Sequence, residues 1–189
     1  MAATEIEKLV LKVVPILDEL KIDYYITGGF AVSAWGRVRS TLDIDIVIKL
    51  LKPKVKPLAT ALRKISKYGY IDEEAAREAL RRKGEFNFID PETGFKVDFW
   101  IPKESEQVFS EQLKRRKTKK VFNEKVYFIS PEDLIISKLV WYEKSGESSR
   151  HIEDVESIFK ISGPKLDLSY LKKQMAKLGV AGPLKRFLK

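Results

Sequence analysis

The stretch at residues 42–48 reads LDIDIVI, and it decides how the rest of the chain is interpreted. Large apolar residues occupy every second position, which is the pattern of a β-strand with one buried face. The opposite face carries Asp43, Asp45 and Val47. Neighbouring carboxylates repel each other, and partial burial adds to the cost unless a cation lies between them. The pattern therefore predicts a strand whose open face attracts a cation.

The composition is that of a globular protein without cysteine. The chain has 189 residues, of which 44% are hydrophobic, enough for one domain or one compact domain with a smaller appendage. No apolar run approaches the ~20 residues that cross a bilayer, and the N-terminus does not have the pattern of a signal peptide. The absence of cysteine excludes disulfides and cysteine-ligated zinc and allows a reducing cytosol. We therefore expect a cytoplasmic protein with no membrane partner.

The charge balance is strongly basic. Lysine and arginine number 36 against 27 acidic residues, a formal net charge of +9. A basic surface favours anionic partners such as nucleotides or RNA. Simple solubility explains the same number, so the net charge alone does not identify a partner.

Hydrophobic periodicity divides the chain into a mixed region and a helical tail. Helices and strands alternate up to residue 128, and the pattern from 129 to 189 is helical. Within the first region, Pro15 is expected to kink or split the first helix, and residues 58–70 read as one amphipathic helix. The Pro-Glu-Thr-Gly run at residues 91–94 predicts a hairpin. The fold class is therefore α+β, with a mixed sheet flanked by helices and a C-terminal helical segment.

A third acid adds weight to the acidic strand. Asp98 stands between two apolar residues in KVDFW, on the second strand of the predicted hairpin. If that strand lies beside the first, three carboxylates face one point, and we expect no basic residue on the same strand face. Hard oxygen ligands favour Mg²⁺ or Mn²⁺, and Asp98 is also a candidate proton acceptor. The alternatives are surface acids beside lysines for Asp43 and Asp45, and a strand-end acid facing a helix N-terminus for Asp98.

The segment YITGGFAVSAW predicts a strand, a turn at Gly28 and Gly29, and a helix. Glycines at such a junction let a phosphate approach the backbone, and the helix start offers free N–H groups. The loop that follows holds Arg39, Ser40 and Thr41, which can neutralise and hydrogen-bond phosphate oxygens. A glycine pair alone is usually only a turn. Together with the acids it predicts a nucleoside triphosphate site.

These motifs resemble a known family. ITGGFAVSAWGRVRSTLDIDIVI is similar to the signature of the DNA polymerase beta-like nucleotidyltransferases, in which a glycine pair precedes two acids on one strand and a third acid on a later strand. The tail resembles the minimal, AbiEii-toxin-like branch. There the helix PEDLIISKL supplies a lysine, here Lys138, and RHIEDV places Asp154 in a later acidic position, with His151 where that branch usually has aspartate.

The resemblance implies a nucleotidyltransferase catalytic domain over 1–128 and a helical subdomain over 129–189. It implies two divalent ions, Mg²⁺ or Mn²⁺, on the catalytic residues Asp43, Asp45 and Asp98. It implies that a nucleoside triphosphate is bound by Gly28, Gly29, Arg39, Ser40, Thr41 and Lys138. An acceptor hydroxyl would attack the α-phosphate, and pyrophosphate would leave. We expect RNA, such as tRNA, as acceptor, and a cognate antitoxin is a possible partner.

Two other functions stay open at this point. One is the same transfer to a small hydroxylated molecule; the other is a non-catalytic, antitoxin-like module that binds nucleotide or RNA. For single residues, Lys138 could instead extend from an apolar helix to solvent, and we expect Asp154 to pair with Arg150 one turn away. The basic run at 114–120 is expected to be a solvated helix end and loop. Trp100 is the best base-stacking candidate, although a core position is the expectation for it.

Overall fold

The structure is a computed structural model that describes residues 3–103, 106–145 and 148–179. The ends of both predicted domains, 1–2 and 180–189, lie outside the described residues. The helices are α1 Glu5–Glu19, α2 Gly28–Trp35, α3 Val55–Leu62, α4 Glu73–Arg82, α5 Glu106–Arg115, α6 Pro131–Lys144, α7 Ser149–Ser162 and α8 Leu168–Leu178. The strands are β1 Tyr24–Thr27, β2 Asp43–Ile48, β3 Tyr70–Ile71, β4 Glu85–Asp90, β5 Phe95–Trp100, β6 Lys117–Val121 and β7 Glu124–Phe128.

The described strands form one mixed sheet of seven in the order β3-β4-β5-β2-β1-β7-β6. The acidic strand β2 lies at its centre, antiparallel to β1 and parallel to β5. Burial alternates along β2: Ile44, Ile46 and Ile48 are fully buried, and the residues between them are only partly buried. This is the pattern predicted for residues 42–48, and it leaves the acids on the more open face.

The core is built on the apolar face of the sheet. Strand residues such as Ile46, Phe88 and Phe99 belong to the same hydrophobic cluster as the apolar face of α1. Burying each large apolar side chain contributes about 1.5–3 kcal/mol relative to exposing it. Elsewhere α6 and α7 pack against each other and against α2. The C-terminal helices are thereby brought to the helix that begins at Gly28.

The α+β prediction is confirmed, and the predicted hairpin at residues 91–94 joins β4 to β5. Three local expectations are wrong in whole or in part. The helix α1 is not split at Pro15, because the missing N–H removes only one helical hydrogen bond; a kink there stays a prediction. The helix predicted over 58–70 ends at Leu62, and Tyr70 pairs with β4 instead. The run at 114–120 is not mainly loop, because Lys117 begins the strand β6.

None of the helices within the described ranges has both the length and the apolar character to cross a membrane. The boundary at residues 128 and 129 stays a prediction.

Candidate active site

The three predicted acids lie side by side on adjacent strands. Asp43 and Asp45 are two apart on β2, and Asp45 is in register with Asp98 on β5. Neighbouring strands are about 4.8 Å apart, and residues in register point to the same side of a sheet. The alternate residues, such as Ile44 and Val97, are buried on the opposite side. We call Asp43, Asp45 and Asp98 the acidic face.

Each acid of this face has its own hydrogen-bond donor. The Thr41 hydroxyl donates to Asp43 Oδ1 at 2.6 Å, and Trp100 Nε1 donates to Asp45 Oδ1 at 3.2 Å. Lys96 Nζ lies 2.7 Å from Asp98 Oδ2 and forms an ion pair with it. The expectation that no basic residue shares this face is therefore wrong. Lys96 precedes Asp98 by two residues on the same strand, so strand alternation places both on one side.

The acids are not gathered as a ready-made metal site. Across the described ranges, no group of three or more His, Cys, Asp or Glu side chains is arranged to hold a metal ion. The carboxylates instead face three separate donors. The donor set is nevertheless of the kind that hard divalent ions prefer, since it consists of carboxylate oxygens on neighbouring strands.

Electrostatics support that fit. Burial raises the pKa of Asp45, and repulsion from Asp43 and Asp98 raises it further, while the Trp100 hydrogen bond and the charge of Lys138 lower it. The ionised face is therefore under-compensated by its own donors. The pKa of Lys96 is raised, chiefly by its hydrogen bond to Asp98 and against the effect of burial, with the other acids adding to the rise. A further cation near Asp45 would relieve the repulsion.

The glycine pair lies directly against the acidic face. Gly28 has φ +63°, a conformation that side-chain-bearing residues rarely adopt, and a Cβ placed on it would lie 1.7 Å from Asp45 Oδ2. A Cβ on Gly29 would lie 2.9 Å from both Arg39 Nη2 and Thr41 Oγ1. The start of α2, whose first backbone N–H groups have no partner within the helix itself, therefore lies between the acids and the loop residues.

A second charged group joins this loop to the C-terminal helices. Arg39 Nη2 donates to Asp154 Oδ2 at 3.3 Å, with Nε 3.1 Å from Oδ1, and Lys138 Nζ lies 3.0 Å from Asp154 Oδ2. The side chain of Asp154 is 0% exposed, against 14% for Arg39 and 10% for Lys138. We call Arg39, Lys138 and Asp154 the basic cluster. Two cations share one carboxylate, so the cluster carries an excess of one positive charge beside α2.

The basic cluster corrects two expectations. Asp154 does not pair with Arg150, which is exposed; its partners come from the loop and from α6. Lys138 does not extend to solvent, because its ammonium is buried against Asp154. Both contacts join residues far apart in sequence, which helical spacing cannot reveal. Ser40, the remaining candidate, is exposed on the loop, and its carbonyl accepts a hydrogen bond from Arg39.

His151 and Trp100 complete the surroundings. The Nδ1 atom of His151 is buried without a hydrogen-bond partner in the described part of the chain. Burial lowers the pKa of His151, the charge of Lys138 lowers it further, and Asp154 partly opposes the change. Trp100 is only partly buried, so the core position expected for it is only partly met, and its Nε1 donates to Asp45. Base stacking on its ring stays a prediction.

Comparison with solved structures places this arrangement in a known fold. The solution structure of the antibiotic-resistance factor ANT(2'')-Ia is 16% identical, has a TM-score of 0.62, and the match covers 95% of this chain and 96% of that one. The same protein in complex with adenylyl-2''-tobramycin has a TM-score of 0.59 at 15% identity, with coverage of 97% and 99%.

Two further matches span most of both chains. The lincosamide antibiotic adenylyltransferase LnuA, with lincomycin bound, is 15% identical with a TM-score of 0.57, covering 85% of this chain and 99% of that one. An antigenic nucleotidyltransferase-like protein from Paracoccidioides brasiliensis is 23% identical with a TM-score of 0.56, covering 98% and 94%.

No protein-family model matches the sequence, and no curated protein matches it. At these identities the likeness shows the fold. The chain has the mixed sheet and flanking helices of a nucleotidyltransferase, which the glycine and acid motifs predict from the sequence.

Proposed function

We propose that the protein is a metal-dependent nucleotidyltransferase that transfers a nucleoside monophosphate from a nucleoside triphosphate to a hydroxyl acceptor. One observation carries the proposal: Asp45 is in register with Asp98 and touches the position where Gly28 would carry a side chain. Acids and a helix start are thereby adjacent, as a metal–triphosphate substrate requires. The nucleotidyltransferase fold of the matched structures supports the same reading.

The metal would be held by the carboxylates of the acidic face. Mg²⁺ or Mn²⁺ bound there would neutralise charge on the phosphates and on the leaving pyrophosphate. Carboxylate oxygens are the donors that such an ion prefers. The pKa of Asp45 is raised by burial and by repulsion from Asp43 and Asp98, and a bound cation would offset both effects.

The triphosphate would be bound on the opposite side of Gly28. The first N–H groups of α2 attract anionic oxygens, and Arg39, Thr41 and Lys138 lie at the same end of that helix. Ser40 is close enough in sequence to add a hydroxyl donor. Asp154 acts as a positioning residue, since its buried carboxylate holds both cations of the basic cluster in place.

The transfer itself is an in-line displacement. The acceptor oxygen forms a bond to the α-phosphorus while the bond to the bridging oxygen breaks, and pyrophosphate leaves with that oxygen. Asp98, on β5, would accept the proton of the acceptor hydroxyl. Most of the rate enhancement in such chemistry comes from positioning and charge stabilisation.

The acceptor hydroxyl could belong to RNA or to a small molecule, and a different observation favours each of these two classes. RNA, including tRNA, is favoured by the net charge of +9 alone. A small hydroxylated molecule is favoured by the matched structures, one with adenylyl-tobramycin and one with lincomycin. Because the second support is the more specific, we place the small molecule first. A place in the AbiEii-toxin-like branch, an antitoxin partner and a cytoplasmic location rest on sequence patterns only.

Nucleotide transfer is tested with purified protein, Mg²⁺ and each of the four α-labelled ribonucleoside triphosphates. Bulk tRNA, an aminoglycoside panel and a lincosamide panel are offered as acceptors, and pyrophosphate release and labelled product are measured. We expect labelled product in at least one combination and none with Asp45→Asn. The matched control is Asp23→Asn, an exposed acid outside the acidic face.

The opposite outcome would identify a binding module. If no triphosphate yields product with any acceptor, and calorimetry shows the same nucleotide affinity for wild type and Asp45→Asn, the proposed transfer is wrong. Nucleotide or RNA binding without turnover would then favour the non-catalytic function.

A further inference from the structure

Four charged side chains form a square on the open face of the two central strands. Asp43 is in register with Lys96, and Asp45 is in register with Asp98. Three of these four side chains are acidic and one is basic. Lys96 therefore lies among the acids of the acidic face, directly opposite Asp43.

Lys96 differs from the other two donors that engage the acids. Thr41 and Trp100 are neutral, whereas Lys96 brings a full positive charge to within 2.7 Å of Asp98 Oδ2. Its side chain is 44% exposed, while that of Asp98 is 13% exposed. The ammonium therefore has solvent on one side into which its flexible stem can withdraw.

An ammonium and a divalent ion cannot both occupy the same side of one carboxylate. They compete for the same oxygen, and they repel each other at short range. Any ion that reaches Asp98 must therefore displace Lys96 or bind in the presence of its charge. The neutral donors on Asp43 and Asp45 impose no such repulsion.

We propose that Lys96 is a built-in competing cation, which occupies Asp98 in the nucleotide-free protein and weakens divalent-metal binding there. A free ion then binds weakly, whereas an ion arriving with a triphosphate is helped by the substrate's own charge and displaces the ammonium. The inference rests on the proposed function only in taking Asp98 as a metal ligand.

The test is metal binding without nucleotide. Free Mn²⁺ is titrated by electron paramagnetic resonance against wild type, Lys96→Met and Lys96→Arg. We expect Lys96→Met to bind Mn²⁺ about tenfold more tightly, and Lys96→Arg to resemble wild type because the charge is kept. Lys125→Met, an exposed lysine on β7, is the matched control and should not change the affinity. Thermal unfolding of each variant verifies that it is folded.

Several results would overturn the inference. Equal Mn²⁺ affinity in Lys96→Met and wild type would show that the lysine does not compete. A gain that persists when Asp98→Asn is added would show that it does not act through Asp98. If wild type transfers nucleotide but Lys96→Met shows no gain, only this inference is wrong. If no variant binds Mn²⁺, the metal site and the proposed function fail together with it.

Discussion

The acidic face and the basic cluster lie on either side of the glycine pair, and they balance their charges in opposite ways. The basic cluster is closed, with its single carboxylate wholly buried between two cations. The acidic face is partly open, and the pKa of Asp45 is raised by burial and by repulsion from the other acids. The closed group holds the loop, α6 and α7 in position. The open group retains an unbalanced charge that an external cation can neutralise.

This contrast predicts that changes on the acidic face reduce activity, whereas changes in the basic cluster reduce stability as well. The largest expected effect is that of Asp45→Asn. We expect the rate of pyrophosphate release to fall by about a thousandfold or more, because the ligand for the metal and its charge are lost. The midpoint of thermal unfolding should stay the same or rise, since repulsion from Asp43 and Asp98 is removed. A large loss of stability would show that the two groups do not differ as described.

The second prediction concerns the contact between the acidic face and α2. In Gly28→Ala, the new methyl group would collide with Asp45, and the positive φ adds strain. We expect a loss of about 2 kcal/mol in the free energy of unfolding and about a hundredfold loss of activity. Gly94→Ala is the matched control, because Gly94 has φ +74° with nothing within 4 Å of a Cβ.

Gly94→Ala should lose only about 1 kcal/mol, from the backbone strain, and keep full activity. Denaturant unfolding and steady-state kinetics measure both variants. Equal activity in the two would mean that the closeness of Gly28 to Asp45 has no catalytic consequence.

The third prediction concerns the basic cluster. In Asp154→Asn, Arg39 and Lys138 lose the buried carboxylate that they share, and we expect the free energy of unfolding to fall by about 3 kcal/mol. The Michaelis constant for the triphosphate should also rise, because both cations lose their fixed positions. Glu153 lies on the same helix as Asp154 and forms a half-exposed pair with Arg37, so Glu153→Gln should change the stability and the Michaelis constant very little. Similar losses in the two variants would contradict the contrast between buried and exposed pairs.

The smallest effect is a pH dependence. The pKa of His151 is lowered in the fold by burial and then by Lys138, from the ordinary value of 6.5 that the unfolded chain keeps. The unfolded state therefore binds the proton first, and the wild-type protein loses stability as the pH falls below that value. Relative to His151→Gln, wild type should be less stable at about pH 5 than at about pH 8, as measured by urea unfolding. If the free energy of unfolding changed with pH in the same way for wild type and His151→Gln, the lowered pKa of His151 would be contradicted.

The sequence predicts the acidic face better than it predicts the basic cluster, for a physical reason. Asp43, Asp45 and Asp98 belong to strands whose alternation is local, so that their shared orientation follows from spacing. The position of Lys96 follows from the same alternation, because it precedes Asp98 by two residues on β5 and therefore shares its face. The partners of Asp154, by contrast, come from a loop and from another helix, and no local period encodes such contacts.

Two other features show the same limit. The helix predicted over 58–70 has a helical period, but pairing of Tyr70 with β4 outweighs that preference. The collision that a Cβ on Gly28 would make with Asp45 depends on the pairing of β1 with β2, which the glycine motif does not specify. Tertiary packing, not local propensity, decides these positions.

The central claim is that the acidic face holds a divalent ion while the glycine pair receives the triphosphate. It is tested most directly by a crystal structure with Mn²⁺ and a non-hydrolysable triphosphate, using anomalous scattering to locate the metal. The account predicts Mn²⁺ about 2.0–2.3 Å from carboxylate oxygens of Asp43, Asp45 and Asp98, with the phosphates at the start of α2. Metal bound away from these carboxylates, or a triphosphate bound away from Gly28 and Gly29, would contradict it.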